Sequence, residues 1–156
     1  MKIEFSAVGA EEAARIYESY RLDNEPDSPR VPFAQLDAAR RGAVVERLKA
    51  MQKLALVDGE PVGFITFQDE GASVNFGFGL FREFRGRGLM KEVIKAAAGL
   101  FGSLYPGRRI TAGTRVDNIA AIRSLEAGGF VRAGSEVKTA CGDFKSPVEY
   151  AVFRWG

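Results

Sequence analysis

The sequence predicts an α/β (α+β) protein with a mixed, mostly antiparallel central sheet of about seven strands and helices on both faces. Three observations lead to this prediction. Seven short apolar or alternating segments have the pattern of strands, and four longer segments have apolar residues at helical spacing. Turn signals join several strands directly, which is typical of antiparallel neighbours, whereas one strand–helix–strand segment indicates a parallel, right-handed crossover. The predicted order is βααβββαβαββ, in one domain that spans residues 1–156.

The first third of the chain predicts one strand and two helices. Lys2–Phe5 alternates polar and apolar residues, as a half-buried strand does. Ala10–Leu22 has apolar residues at helical spacing and two acidic residues in the first turn, where the helix dipole favours them. Asp23–Pro32, with three prolines, is a loop that either covers a site or is a plain connection. Phe33–Gln52 is the second predicted helix, and its inward residues are Leu36, Val44, Leu48 and Met51.

The middle of the chain predicts three consecutive strands. Leu54–Val57 and Val62–Phe67 flank Asp58–Pro61, whose Asp-Gly pair is a hairpin signal. Gln68–Gly71 predicts a second turn, which leads into an apolar, glycine-containing strand at Ala72–Leu80. We therefore expect these three strands to be antiparallel neighbours in the sheet.

The last third predicts two helices and three strands. The third helix begins within or just after a glycine-rich stretch and ends near Tyr105–Gly107, because proline and glycine terminate helices. Arg109–Val116 is then a strand, and Asp117 or Asn118 caps a short helix that runs to Gly128. The final two strands are Phe130–Thr139 and Phe144–Phe153, around a turn at Cys141–Asp143.

The stretch from Phe81 to Met90 combines glycines, arginines and a helix start. It follows an apolar strand and precedes the third helix. Gly86 and Gly88 can adopt backbone angles that point consecutive N–H groups in one direction, and the helix start adds unpaired N–H groups. Three arginines in this stretch add full charges that suit phosphate geometry. The stretch therefore predicts a phosphate-binding loop; the alternative is a glycine-rich turn with solvated arginines.

The composition excludes several classes of function. The chain has no histidine, which removes Ser-His-Asp and Cys-His catalysis and most zinc or iron sites, so we expect no metal. A net charge of +2 is too small to favour broad binding to nucleic acid or membranes. Cys141 is the only cysteine, and no apolar run approaches the ~20 residues that span a bilayer. We expect a cytoplasmic protein without a nucleic-acid or membrane partner.

A second motif connects the glycine-rich stretch with a known family. Residues 117–130 read Asp-Asn-Ile-Ala-Ala-Ile-Arg-Ser-Leu-Glu-Ala-Gly-Gly-Phe, an amphipathic helix with a glycine stop before a strand. Together the two motifs resemble those of the GCN5-related N-acetyltransferase (GNAT) superfamily, in which an Arg/Gln-x-x-Gly-x-Gly/Ala loop binds the pyrophosphate of acetyl-CoA. The predicted element order resembles that of the family over nearly the whole chain. The matching residues are Arg85–Leu89, Asn118, Ala121, Ile122, Leu125, Glu126, Gly129 and Phe130.

Three positions depart from the family pattern. Glu83 stands at the first loop position, where the family prefers Gln or Arg, and an acid there opposes pyrophosphate binding unless it turns away. Met90 stands two places after the second glycine, where the family usually has a small residue. Leu125 stands where many members have the tyrosine that protonates the departing CoA thiolate. The Leu-Glu pair at this point is similar to the branch that includes protein N-terminal acetyltransferases.

The resemblance implies direct transfer of an acetyl group from acetyl-CoA to a primary amine, in a small molecule or a peptide, through a ternary complex. The end of the strand before the loop would pair with the pantetheine arm, and the main-chain N–H of Leu80 would polarise the thioester carbonyl. Glycines 77 and 79 fit a bulge or a close ligand approach, or they only relieve crowding. The residues that the resemblance assigns to acetyl-CoA are Gly79, Leu80, Phe81, Arg85, Gly86, Arg87, Gly88, Leu89, Met90 and Asn118.

The general base, the general acid and the acceptor amine stay unassigned at this point. The acceptor pocket is expected among the Asp23–Pro32 loop, the first two helices, Thr114, Arg115 and the last hairpin. The alternative function is a non-catalytic acyl-CoA-binding or regulatory domain that lost the chemistry, for which Leu125 is the main argument. For either function, the sequence leaves open whether the protein forms a homodimer.

Overall fold

The computed structural model describes residues 1–23, 30–138 and 147–155 of the chain. These residues form a seven-stranded sheet with four α-helices. The strands are β1 (Ile3–Ala7), β2 (Gln52–Val57), β3 (Glu60–Asp69), β4 (Val74–Leu80), β5 (Ile110–Arg115), β6 (Phe130–Lys138) and β7 (Val148–Trp155). The helices are α1 (Ala10–Asp23), α2 (Ala38–Met51), α3 (Leu89–Leu104) and α4 (Ile119–Ala127). The predicted order of elements is confirmed.

The strands follow the order β1-β2-β3-β4-β5-β7-β6 across the sheet. Neighbouring strands are antiparallel, except for β4 and β5, which are parallel and connected through α3. Phe64 and Phe67 lie three residues apart on β3 and therefore face opposite sides of the sheet. The Phe64 ring contacts Tyr20 of α1, and the Phe67 ring contacts Phe101 of α3. The prediction of a mixed, mostly antiparallel sheet with helices on both faces is confirmed.

An aromatic cluster forms the core between the sheet and α3. Phe76 of β4 is 1% exposed and lies at its centre. Its ring centroid is 5.1 to 5.8 Å from those of four other rings, which belong to Phe67, Phe78, Phe101 and Phe130. Because these rings come from β3, β4, β6 and α3, the cluster fixes the helix on the strands that surround the candidate site.

The second helix differs from its prediction. Residues 33–35 form one 3-10 turn, and α2 begins only at Ala38. The Asp37 carboxylate accepts a hydrogen bond from the Arg40 N–H at 2.8 Å, so Asp37 is an N-cap that interrupts the apolar period. Met51, predicted to point inward, is 40% exposed because it is the last residue of the helix. Three predicted features lie wholly or partly outside the described residues: residues 24–29 of the predicted loop, the turn at 141–143 and the first residues of the last predicted strand.

A bidentate ion pair fastens the turn between β3 and β4 to the start of β5. The two terminal nitrogens of Arg108 lie 3.2 and 2.8 Å from the carboxylate oxygens of Asp69. Arg108 also donates to the Gly71 carbonyl at 2.7 Å. The hydrogen bonds from Arg108, followed by one from the Gly71 N–H, lower the pKa of Asp69 from 3.8 to about 2.

We expect Asp69→Asn to cause a small loss of stability that depends on pH. Because folding lowers this pKa, the ionised carboxylate favours the folded state above the unfolded pKa, and the contribution disappears as pH falls from about 4 to about 2. The difference in melting temperature between wild type and variant should therefore be constant near neutral pH and shrink as pH falls from about 4 through about 2, as measured by thermal denaturation monitored by circular dichroism. A difference of the same size at pH 2 as at pH 7 would contradict this assignment.

Candidate active site

The central strands β4 and β5 separate after a short paired region. They pair only from Val74–Ile110 to Phe76–Ala112. Beyond Phe76, β4 continues to Leu80 beside β3, and β5 continues to Arg115 beside β7. The two strands therefore leave a gap between residues 77–80 and residues 113–115, which we call the fork.

The backbone of Leu80 faces the fork. In an antiparallel pair, opposite residues alternate between those that exchange hydrogen bonds and those that do not. The Phe81 N–H donates to the Val62 carbonyl at 2.9 Å, so the next pair, Leu80 and Gly63, is a non-hydrogen-bonded one. The N–H and C=O of Leu80 consequently point away from β3 and into the fork, whereas the N–H of Phe81 is used within the sheet.

Glycines 77 and 79 relieve crowding against β3. The register between β3 and β4 is continuous along this region, so β4 has no bulge there. A Cβ atom on Gly77 would lie 2.6 Å from the Thr66 methyl carbon, and one on Gly79 would lie 2.4 Å from the Phe64 ring. Of the explanations that the sequence left open for these glycines, the structure supports close packing and contradicts a bulge.

The glycine-rich loop leads directly into α3. Gly86 and Gly88 have positive φ angles of 77° and 73°, which glycine adopts without steric cost. Gly88 is the N-cap residue of α3, and no side chain among the described residues caps this helix start. A Cβ atom on Gly86 would meet nothing within 4 Å, so the loop faces open space. Its geometry matches that of an anion-binding helix start.

The fork and the loop enclose one cavity of about 540 Å³, within the range typical of ligand pockets. Eight of the ten residues that the sequence assigned to acetyl-CoA line it; Phe81 and Arg87 do not. Phe81 is 2% exposed and packs on Phe64, and the Arg87 guanidinium lies 5.5 Å from the Phe84 ring. The cavity is lined by Asp23, Phe78, Gly79, Leu80, Arg85, Gly86, Gly88, Leu89, Met90, Arg115, Asn118, Ala120, Ala121 and Ser124. The binding roles of the assigned residues stay predictions.

The acidic residue in the loop turns away from the glycines. The Glu83 carboxylate is paired with Arg15 of α1. Arg15 also lies over the Phe81 ring, with its guanidinium carbon 3.8 Å from the ring centroid. A hydrogen bond from its own backbone N–H, followed by the charge of Arg15, lowers the pKa of Glu83. The carboxylate is therefore ionised but neutralised on the α1 side, away from the cavity lining.

Arg85 connects the loop with both β4 and α1. Its Nε and Nη2 donate to the Leu80 carbonyl at 3.0 and 2.9 Å. Its Nη1 and Nη2 also reach the two carboxylate oxygens of Asp23 at 3.0 and 2.7 Å. Sequence reasoning did not foresee this pair because the residues are 62 positions apart, and no local pattern links them.

Helix α4, with its N-cap, contains three residues that the sequence analysis singled out or that line the cavity: the N-cap Asn118, the buried Leu125 and the hydroxyl-bearing Ser124. The Asn118 side chain accepts a hydrogen bond from the Ala121 N–H at 3.1 Å, which confirms the predicted cap. Leu125 is fully buried and does not line the cavity. Ser124 lines it and donates its hydroxyl proton to the Ala120 carbonyl at 2.9 Å.

The far side of the fork is formed by β5 and β7. Arg115 lines the cavity, and its Nε and Nη2 lie 3.2 Å from the carboxylate of Asp117. Tyr150 is the partner of Arg115 in the β5–β7 register, and burial raises the pKa of its hydroxyl. Thr114, which the sequence placed at the acceptor pocket, is buried and outside the cavity lining.

The forked sheet and the glycine loop at a helix start define a class of acyltransferase. The profile of the acetyltransferase (GNAT) domain matches residues 5–131, and the chain therefore belongs to the GNAT acetyltransferase family. None of the curated proteins matches the chain.

Solved structures share the fold at low sequence identity. Ribosomal-protein-S5-alanine acetyltransferase from Vibrio fischeri is 16% identical, with a TM-score of 0.72 over 99% of this chain and 92% of that one. AAC(6')-Ib, solved with ribostamycin and coenzyme A, is 18% identical, with a TM-score of 0.71 over 97% and 93%. YncA from Salmonella typhimurium, solved with its cofactor acetyl-CoA, is 15% identical, with a TM-score of 0.66 over 97% and 92%.

None of the helices in the described part of the chain is both long and apolar enough to cross a membrane.

Proposed function

We propose that this protein transfers an acetyl group from acetyl-CoA directly to a primary amine of a small molecule or a peptide, through a ternary complex. The observation that carries the proposal is the fork, because it turns the backbone N–H and C=O of Leu80 away from β3 and beside the start of α3. An extended, diphosphate-bearing acyl carrier needs both features in one cavity. The carriers named with the neighbouring structures, acetyl-CoA and coenzyme A, support the same proposal.

Each part of the cavity suits one part of that carrier. The amides of Gly86–Gly88 and the first turn of α3 would hold the diphosphate, since backbone N–H groups and the helix dipole both favour an anion there. The Leu80 backbone would hold the pantetheine arm as a neighbouring strand does. Bound acetyl-CoA supplies the activated acetyl group, and the Leu80 N–H would face the negative charge that develops on the thioester oxygen.

Two physical effects would accelerate the reaction: positioning of the two reactants, and a hydrogen bond from the Leu80 N–H to the thioester oxygen. Holding an amine against a thioester replaces a bimolecular encounter, and effective molarities of about 10⁵ M or more are reached in favourable cases. A fixed N–H facing the developing charge contributes about 3 kcal/mol. The ammonium first loses one proton to water. The neutral amine nitrogen then bonds to the acetyl carbon, the carbon–sulfur bond breaks, and the nitrogen loses a second proton to water.

The leaving thiolate takes its proton from water in this proposal. Leu125 is apolar and buried, and Ser124 already donates its proton to a backbone carbonyl. A thiol with a pKa of about 8.5 leaves as an anion that water can protonate, so the reaction does not require a dedicated acid. General acid catalysis would add about 10²–10⁴-fold, and we expect a correspondingly modest turnover.

The buried Leu125 also favours a second candidate, a regulatory domain that binds acyl-CoA without transferring the acyl group. Release of CoA thiol separates the two functions. The assay mixes the protein and acetyl-CoA with spermidine, an aminoglycoside, glycinamide or an alanine-terminated peptide, and thiol is measured together with the acetylated product by mass spectrometry. We expect turnover with at least one amine. Calorimetric binding of acetyl-CoA without turnover on any amine would favour the regulatory domain, and absence of binding would contradict both functions.

A further inference from the structure

The Asp23–Arg85 pair lies at the entrance to the fork. Arg85 holds the Leu80 carbonyl, which is one of the two backbone groups of Leu80 that face the fork. The same guanidinium holds both oxygens of Asp23, the last residue of α1. One side chain therefore joins the loop proposed for the diphosphate, the strand proposed for the acyl arm and the end of α1.

Asp23 is the single acidic residue in the lining of the cavity, within residues 1–23, 30–138 and 147–155. Arg82 is a second cation near it, with its Nε 3.8 Å from the carboxylate. The side chains of Asp23 and Arg85 are 37% and 41% exposed, and ion pairs at that exposure are weak because water screens them. A diphosphate carries more negative charge than one carboxylate and suits the planar guanidinium, so it can compete for Arg85.

We propose that Asp23 is the carboxylate that receives the ammonium group of the acceptor, and that Arg85 neutralises it until the diphosphate of acetyl-CoA draws the guanidinium away. This inference rests on the proposed function. A primary amine is cationic at neutral pH, since a lysine-like amine has a pKa of about 10.4. Before the exchange Arg85 and Arg82 both face Asp23 and oppose the approach of a third cation; after it, only the 3.8 Å contact with Arg82 remains, and the carboxylate can receive an ammonium group. The acceptor therefore binds well only after acetyl-CoA.

The competing explanation is that the pair only ties α1 to the loop. A structural tie predicts that removing Asp23 loosens the loop and weakens binding of acetyl-CoA. If Asp23 instead competes with the diphosphate for Arg85, removing Asp23 should strengthen binding of acetyl-CoA, because loss of the carboxylate frees the guanidinium for the diphosphate. The sign of the change in affinity separates the two explanations.

The first test measures acetyl-CoA affinity by calorimetry for wild type, Asp23→Asn, Arg85→Ala and the double variant. We expect Asp23→Asn to bind up to about fivefold tighter, which is the range of an exposed ion pair. Arg85→Ala should bind more weakly, and Asp23→Asn should have a smaller effect in this variant than in the wild type, because only the 3.8 Å contact with Arg82 remains to be lost. Asp69→Asn is the matched control, because Asp69 has the same bidentate pairing with an arginine outside the cavity.

Unchanged or weaker binding by Asp23→Asn, with wild-type binding intact, would overturn the exchange of Arg85. Failure of the wild type to bind acetyl-CoA would instead remove the proposed function, so the two failures are distinguishable.

The second test concerns the ammonium role. At saturating acetyl-CoA, with the amine that gives the fastest thiol release in the panel, Asp23→Asn should raise the KM for the amine by up to about fivefold, which is the range of an exposed ion pair. Asp23→Glu should restore part of it, and Asp69→Asn should have the wild-type KM. An unchanged KM in Asp23→Asn would overturn the ammonium role, and a panel without a reactive amine would contradict it together with the proposed function.

Discussion

Replacement of Gly88 by glutamate should abolish binding of acetyl-CoA while the chain stays folded. A Cβ atom at this position has Lys91 Cε as its nearest neighbour, at 3.7 Å, so the side chain has room. The φ angle of 73° makes any other residue unfavourable by about 1–2 kcal/mol, which a stable domain tolerates. A carboxylate at a helix start even favours the helix, but it occupies the place proposed for the diphosphate. Two negative charges placed together in a binding site destabilise the complex by several kcal/mol. We therefore expect the affinity for acetyl-CoA, measured by calorimetry, to fall more than about a hundredfold.

Gly107→Glu is the matched control for this variant. Gly107 has the same φ angle of 73° and open space around its Cβ position. It follows the C-terminal end of α3, whereas Gly88 precedes its start, and sixteen helical residues separate the two ends by about 24 Å. The control therefore carries the same backbone strain and the same charge but should keep wild-type affinity. Unchanged affinity in Gly88→Glu would show that the carrier does not bind at this loop.

Replacement of Phe76 by alanine should lower the free energy of unfolding by about 3–5 kcal/mol. Phe76 is 1% exposed, and its ring lies among four other aromatic rings from β3, β4, α3 and β6. The backbone cannot collapse into the space left by the ring, because β4 is paired with β3 on one side and with β5 on the other at this residue. Urea denaturation followed by circular dichroism measures the loss.

A surface substitution provides the comparison for Phe76→Ala. Val131 is on the edge strand β6 and is 46% exposed. Val131→Ala should change the free energy of unfolding by no more than about 0.5 kcal/mol. A loss of less than about 1.5 kcal/mol in Phe76→Ala would contradict the central place that we give this ring in the core.

Features determined by neighbouring residues were predictable from the sequence. The hairpin between β2 and β3, the start of α3 after Gly88 and the cap at Asn118 all depend on residues within a few positions of one another. Local backbone preferences decide such features, so a single sequence contains the information. The start of α2 was missed although its signal was local, because Leu36 and Phe33 continued the apolar period past the cap at Asp37.

Features that depend on side chains far apart in the chain were not predictable. Arg85 pairs with Asp23 and Glu83 pairs with Arg15, across 62 and 68 residues. Several acids and arginines compete for such partners, and only the packing of α1 on the sheet decides among them. The sequence also could not decide whether the glycines of β4 form a bulge or relieve crowding, because the answer depends on Phe64 and Thr66 across the strand pair.

The fork also bears on how this protein would respond to engineering. A β4 paired with β5 along its full length would gain sheet hydrogen bonds that the native chain forgoes beyond Phe76. Variants selected for heat resistance alone would thus tend to pair the two strands along their full length, and the most thermostable clones would be those that had lost the cavity proposed for acetyl-CoA. Directed evolution of this scaffold needs a turnover screen at every round.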